Sequence, residues 1–497
     1  MRRFLNRLQP ELSNANPPAN PSAKNPFLLG SGAVILSSVM FFWGTGLHPR
    51  WWLTWLAPLP ILLISPRING RRAFWMAAVA LFLGSLNMWF YLLTVVSIPI
   101  WLMLLFSVVP GCIFGLAVLL FRRFTLRGDL WKAALSLPVS WVTFEYLNNL
   151  ASPHATFGNI GYTQMDFLPV LQVASLAGIW GITFCLFLLP AAIAATLGPI
   201  GTASQKKRLA TAVGASLTLI IGWGSWRLTA TPEPEHSVKA GLMASGVDTM
   251  FPHDDAAALK LLQDYSERTA GLAAQGAQVI VLPEKIALIS NQGVGEADAL
   301  YSAVSARTKA IIVVGLDRGS LTKRFNEGRL YSAGALGASY EKHHMIPQLE
   351  DVDQPGTTIA VLNQPSGVWG IQICKDMDFP ALSRQYGAQG VGLLLVPAWD
   401  FTLDGWLHGR MAVLRGVESG FTIVRAAKQG ILTVSDDRGR ILAQQDAATV
   451  PFASLVATAP VRHDNTLYVQ WGDWFAWLNI AGLVTLLFSR ARTQGRA

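Results

Sequence analysis

Seven apolar runs of near-spanning length crowd the first 230 residues of this chain and an eighth lies near its end, at 27–43, 51–64, 73–96, 98–121, 131–147, 170–197, 209–226 and 474–488. A bilayer core takes about 17–25 residues of helix. A backbone segment crossing it has to satisfy its own N–H and C=O groups, which selects helices. Two runs depart from the simple pattern: 51–64 is short and carries Pro58 and Pro60, and 131–147 carries Glu145.

Charge divides the chain in the same place. Residues 1–230 hold 16 Lys and Arg against four acids, whereas residues 231–497 hold 23 against 26, so the net +9 belongs to the apolar part. No basic patch of the kind that binds nucleic acid is present. With 52% hydrophobic and only 14% charged residues, an ordinary soluble enzyme is excluded. Lys and Arg resist translocation and mark cytoplasmic loops. They cluster before the first run (Arg2, Arg3, Arg7, Lys24), between the second and third (Arg67, Arg71, Arg72), between the fourth and fifth (Arg122, Arg123, Arg127, Lys132), between the sixth and seventh (Lys206, Lys207, Arg208) and after the eighth (Arg490, Arg492, Arg496). Arg50 is the one exception in the intervening loops. This alternation predicts a cytoplasmic lead-in at 1–26, a seven-helix membrane domain at 27–228, a linker at 229–236, an extracytoplasmic domain at 237–468, a last helix at 471–489 and a cytoplasmic tail at 490–497. The polar stretch ahead of the first run argues against a cleavable signal peptide.

From residue 237 the pattern changes to short β-rich runs alternating with amphipathic stretches, which predicts an α/β domain. Strands are expected at 238–244, 278–282, 310–315, 330–336, 367–373, 392–397 and 421–426, helices at 254–274, 297–306, 380–386 and 406–418, and a hairpin turn at 436–441. Of three cysteines, Cys112 and Cys185 fall inside predicted spans, which leaves Cys374 a lone thiol in the α/β part. Such a thiol is buried or has chemistry to do.

Three strand ends carry reactive groups: Glu284 in VIVLPEK, Lys342 in YEKHHMIPQLE and Cys374 in GIQICKDMDFP. Side chains at carboxyl ends of strands converge where α/β sheets bind ligands. Taken singly, each has a plain structural reading, as a surface acid, a solvated lysine and a small buried hydrophobe. A tryptophan-rich stretch, with Trp399, Phe401, Leu403 and Trp406, reads either as a loop dipping into lipid headgroups or as core. His343 and His344 are neighbours without ligand spacing, so no metal site and no cofactor are expected.

The ordered Glu, Lys and Cys with these flanks resemble the carbon-nitrogen hydrolase (nitrilase) superfamily over about 238–444. WVTFEYL (141–147), NIGYTQ (159–164) and segment 172–181 in the apolar part resemble its membrane branch, the apolipoprotein N-acyltransferases. The resemblance implies a multi-pass α-helical membrane domain plus an α/β nitrilase-like sandwich domain (α-β-β-α). It implies Glu284 as general base, Lys342 as the charge beside the oxyanion and Cys374 as nucleophile, with Glu350 matching a second acid that orients Lys342 or the base; Lys375 and Asp376, next to Cys374, are further candidates for supporting roles. It further implies a monomeric enzyme in a bacterial inner membrane that moves an acyl chain from a phospholipid, through a cysteine thioester, to the terminal amine of a diacylglyceryl lipoprotein. The same three residues with water as acceptor would make a tethered amidase or nitrilase, and an inert Cys374 a non-catalytic scaffold. Lys285 after the base and Lys375-Asp376 after the nucleophile depart from the acyltransferase pattern, where a small residue and an aromatic-Glu pair are usual. A positive Lys375 is expected to favour the thiolate.

Overall fold

The computed structural model describes residues 26–230, 233–246 and 254–489. The lead-in, the tail and part of the linker lie outside them. The helical part begins with α1 (Pro26–Gly44), then the short α2 (Trp51–Thr54) and α3 (Leu59–Ile64), α4 (Gly70–Gly84), α5 (Ile100–Leu126), α6 (Leu130–Ala151), the short α7 (Leu168–Leu171) and α8 (Ala174–Ala177), α9 (Ile179–Leu197) and α10 (Ala203–Thr229). Three of the described helices, α5, α9 and α10, are long and apolar enough to cross a membrane. Ile35, Trp43, Trp75, Trp101, Leu219, Trp226 and Phe488 are all exposed large apolar side chains, as a helical domain set in lipid presents.

The expected runs are not eight uniform helices. Run 51–64 breaks into α2 and α3, with Pro58 at the break and Pro60 in the first turn of α3, where a missing N–H costs nothing. Run 73–96 ends as a helix at Gly84, continues as a 3-10 turn, and then makes a π-turn at Tyr91–Val95. Run 170–197 breaks at Gly178, whose φ of 64° no ordinary helix residue adopts.

Thirteen described strands form two sheets. One has the order β13-β1-β2-β4-β5-β6, with β3 beside β4, and the other β12-β11-β10-β9-β8-β7. Their bounds are β1 His236–Ala244, β2 Val279–Val281, β3 Leu288–Ile289, β4 Ile311–Gly319, β5 Arg324–Ser332, β6 Ala335–Glu341, β7 Ala360–Gln364, β8 Gly367–Ile371, β9 Leu393–Trp399, β10 Thr422–Lys428, β11 Ile431–Ser435, β12 Ile441–Asp446 and β13 Ala453–Val461. Strands β1, β2 and β4 run parallel, as do β8, β9 and β10. Alternate side chains point to opposite faces of a strand. Leu393 and Leu395 of β9 therefore meet Val281 and Val313 of the other sheet, while Leu394 and Val396 face the helices α13 (Pro380–Ala388) and α14 (Gly405–Ser419). Behind the first sheet, α11 (Asp255–Ala274) and α12 (Val294–Thr308) cover Ile280, Ile312 and Val314. The layers run α-β-β-α, the nitrilase-like sandwich. The turn expected at 436–441 joins β11 to β12. The strand expected at 330–336 instead straddles a hairpin, because Ala333 and Gly334, with φ of 50° and 86°, turn β5 into β6.

Helix α14 locks the two parts together. Met411, Val413 and Val417 enter the core of the helical domain, while Ala412 stays in its own. Buried Arg415 donates to Tyr162 Oη at 3.0 Å and pairs with Glu418, whose Oε1 accepts from the Ile179 N–H opening α9 at 2.8 Å. At the other end Tyr91 donates to Asp404, and His408 Nδ1 lies 2.8 Å from the same carboxylate. Near the chain end, α15 (Leu467–Trp471) and the apolar α16 (Trp474–Phe488) return to the helical domain, where Trp180 Nε1 donates to Asp473.

Two predictions follow from these packings. In α10, a methyl on Gly224 would sit 1.9 Å from the Pro169 carbonyl oxygen, whereas one on Gly222 meets nothing. Gly224→Ala should cost about 1–3 kcal/mol and Gly222→Ala about 0.5 kcal/mol or less, read as a gap in melting temperature in detergent. At the Asp404 clasp, burial opposes the charge on His408, but Asp404 and Asp400 outweigh it and raise its pKa from 6.5 to about 9. A raised folded-state pKa gives stability that is whole below about pH 6.5 and lost as pH rises through about 9. His408→Gln should melt a few degrees below the wild type at pH 6 and no longer differ at pH 10.

Candidate active site

Glu284 follows β2, Lys342 follows β6 and Cys374 follows β8. The fold brings the first two into direct contact: Lys342 Nζ donates to Glu284 Oε1 at 2.8 Å and to both oxygens of Glu350 at 2.9 Å. Glu284, Lys342 and Glu350 are all buried. Burial opposes the Lys342 charge, but Glu284 and Glu350 outweigh it and hold its pKa well above the usual range. Glu350 is likewise held well below the usual carboxylate range, against burial, by Lys342 and Lys285. Asn326 on β5 holds Glu284 from the other side. Its Nδ2 donates to Glu284 Oε1 at 2.6 Å, and its carbonyl accepts the Lys342 N–H at 2.9 Å.

Lys285, conspicuous in sequence only as a departure, extends this alternation of charge. Its Nζ is 2.8 Å from Glu350 and 2.5 Å from Asp353, which in turn binds Arg324. Buried ions persist only when paired and hydrogen-bonded, and here Glu350 lies between Lys342 and Lys285, and Asp353 between Lys285 and Arg324.

Cys374 opens a tight turn, Cys374–Asp378, with a φ of 41°, a region costly for any residue but glycine and typical of functional sites. Its thiol donates to the Trp399 carbonyl at 3.3 Å. Burial and the negative charge of Glu284 push the thiol pKa well up, and Lys342 and Arg425 only partly counter them. This corrects the expectation of a thiolate: the resting group is a neutral thiol, with a carboxylate near enough to raise its pKa. Asp376 does not meet the reactive groups. It accepts from Tyr340 Oη at 2.6 Å and from the backbone N–H groups of His344 at 2.9 Å and His343 at 3.2 Å. It thereby ties the Cys374 turn to the segment carrying Lys342. Lys375 turns to the membrane domain, where its Nζ is 2.8 Å from His154 Nδ1.

Cys374 opens into a cavity of about 510 Å³ whose far walls are membrane-domain side chains, including Phe41, Leu81, Met103, Phe106, Val109 and Trp141, while Lys375, Asp378, Trp399, Phe401 and His408 line the near end. The aromatic stretch divides between its two readings. Phe401 lines the cavity, Trp406 packs into the helical core, and Leu403 is exposed. Glu145 is used locally, accepting from Asn159 Nδ2 and the Ile160 N–H at 2.7 and 2.8 Å to shape the loop beneath the cavity. Against the expectation of no metal-ligating cluster, Asp400, Asp404 and His408 place ligand atoms within 4.8 Å of one another. Their carboxylates are already used, Asp400 by Arg425 and Asp404 by Tyr91 and the Phe401 N–H, so the donor set does not fit an ion.

Residues 37–192 match the family described as the apolipoprotein N-acyltransferase N-terminal domain, and 244–470 match carbon-nitrogen hydrolase. An apolipoprotein N-acyltransferase of Geobacter metallireducens is 27% identical over 90% of this chain and 92% of its own. Those of Bradyrhizobium diazoefficiens and Thermotoga maritima are 26% and 24% identical over 82% and 89% of this chain and 81% and 90% of theirs. An amidase structure from Nesterenkonia sp. covers 49% of this chain and 96% of its own at 22% identity, with a TM-score of 0.41. With matches to both domain families in one chain, in this order, the protein is similar over most of its length to apolipoprotein N-acyltransferases.

Proposed function

We propose that this protein transfers an acyl chain from a phospholipid to the terminal amine of a diacylglyceryl lipoprotein by a two-step exchange through Cys374. The observation that carries the reading is the cavity: the thiol sits at the mouth of an apolar chamber walled by membrane helices, where acyl chains fit and an amidase's small soluble substrate needs no such wall.

In the first step Glu284 takes the thiol proton as sulfur attacks the ester carbonyl. The developing oxyanion is held by the field of Lys342 and by the Lys375 backbone N–H, which point at charge that exists only in the tetrahedral state. The carbon–oxygen bond breaks, the lysophospholipid alkoxide recovers the proton from Glu284, and the acyl thioester remains. In the second step the neutral α-amine attacks the thioester, Glu284 takes its proton, the carbon–sulfur bond breaks, and the thiol is restored with that proton. Keeping the thiol neutral suits this cycle, since the proton leaves only as the bond forms. Glu350 and Lys285 act through Lys342 by holding its ammonium in place.

The alternation of basic loops supports an inner-membrane enzyme, multi-pass through 27–228 and 471–489, with residues 237–468 on the periplasmic side, so that both lipid substrates reach the site from the bilayer. A monomer meets every requirement of the mechanism, because one chain supplies all the groups named.

Incubation with labelled phospholipid, followed by mass analysis of the peptide bearing Cys374, should find an acyl thioester that a lipopeptide amine discharges and water does not. Cys374→Ala should remove the adduct entirely. Glu284→Gln should slow its formation by about 10²–10⁴-fold, with the melting temperature retained. An adduct discharged equally well by water would favour the hydrolase. Glu350→Gln should lower the rate of thioester formation about 10–100-fold by loosening Lys342, and full activity in that variant would remove Glu350 from its positioning role.

A further inference from the structure

The membrane domain contributes a polar group to the reactive end of the cavity that the acyl-transfer cycle above does not use. His154 lies on the loop after α6, and its imidazole faces Lys375, the residue next to the nucleophile. Both side chains line the cavity into which Cys374 opens. The Lys375 residue is only 5% exposed, and among the described residues no carboxylate lies within ion-pairing distance of its ammonium. A buried cation without a counter-ion is costly unless a ligand supplies one. Asp378, on the same turn and the same cavity wall, attracts it only from beyond that distance.

We propose that Lys375 and His154 form the binding site for the phosphodiester of the acyl donor, an inference that rests on the acyl-transfer reading. Burial, together with the charges of Lys375 and His408, lowers the His154 pKa to about 4, so its ring is neutral. A neutral imidazole whose Nδ1 accepts from Lys375 carries its proton on Nε2. The pair therefore presents the remaining ammonium N–H bonds and one imidazole N–H, a set that matches phosphate oxygens.

Lipid geometry agrees with this placement. The three-carbon glycerol backbone keeps a phospholipid's phosphate within about one long side chain's reach of its ester carbonyl, and Lys375 adjoins the residue that attacks that carbonyl. The apolar remainder of the chamber is left for acyl chains. A diacylglyceryl thioether carries no phosphate, so the same pair distinguishes donor from acceptor: the donor is held by its anion, and the site empties when the lysophospholipid leaves. Lys375 thus acts in donor recognition, which gives the departure from the aromatic residue usual at that position a chemical purpose.

The test compares two donors that differ at one group, dipalmitoylphosphatidylethanolamine and dipalmitoylglycerol, by the kcat/KM of thioester formation on Cys374 in full-length protein in detergent. The wild type should prefer the phospholipid by at least about tenfold, the scale of a hydrogen bond to a charged group. Lys375→Met and His154→Phe should each erase most of that preference, whereas Lys375→Arg should keep it. A preference unchanged in both variants, or an equal slowing of both donors, would overturn the proposal. Inorganic phosphate is the arm for a free anion: if it blocks phospholipid in the wild type while the variants keep the donor preference, the site binds free phosphate and the proposal fails. A wild type that forms no thioester from either ester would bring down the acyl-transfer reading and this inference with it, an outcome distinct from a thioester formed without donor preference.

Discussion

The interaction on which the rest of this site depends is the contact of one buried ammonium with two buried carboxylates. Lys342 is fully buried, and its charge is held there by Glu284 and Glu350. The same arrangement keeps Glu284 oriented, with Asn326 on its other flank. Lys285, Asp353 and Arg324 then continue the chain of opposite charges outward. In a low-dielectric interior, removing any one member leaves another unpaired, and that penalty makes such a network hold its geometry. Cys374 needs that rigidity, since its thiol is aligned by a strained turn and by a single weak bond to a carbonyl.

The second constraint is that neither part of the molecule completes the site alone. The sandwich supplies Cys374, Glu284 and Lys342. The helical domain supplies the apolar walls, His154 and, through Tyr91, a tether to the loop after β9. Helix α14 belongs to both cores, so the cavity between them keeps a defined shape.

The strands ahead of Glu284, Lys342 and Cys374 were legible, and with them the expectation that their ends converge. The residues that support these three were harder to read. Asn326 sits mid-strand in a polar stretch, and nothing local distinguishes it from an ordinary β5 residue. Lys285 stood out as an anomaly, but its three acidic neighbours come from residues 317, 350 and 353, a pairing that only the fold creates. His154 lies more than 200 residues from Lys375, in a loop whose composition reads as a connection between helices. The strand expected at 330–336 failed for a different reason. Leu330 and Leu336 are apolar on both sides of a hairpin, and the run hides the turn because Ala333 carries a positive φ without being glycine. The apolar spans were visible as hydrophobicity, while their breaks at Pro58 and Gly178 are packing decisions that hydropathy does not encode.

Cys374 rests as a protonated sulfur because burial and a neighbouring carboxylate outweigh the nearby cations. Oxidants and stray electrophiles attack thiolates. A buried thiol kept protonated is therefore sheltered from irreversible loss, and it turns nucleophilic only where a neighbouring group takes its proton as a bond to sulfur forms.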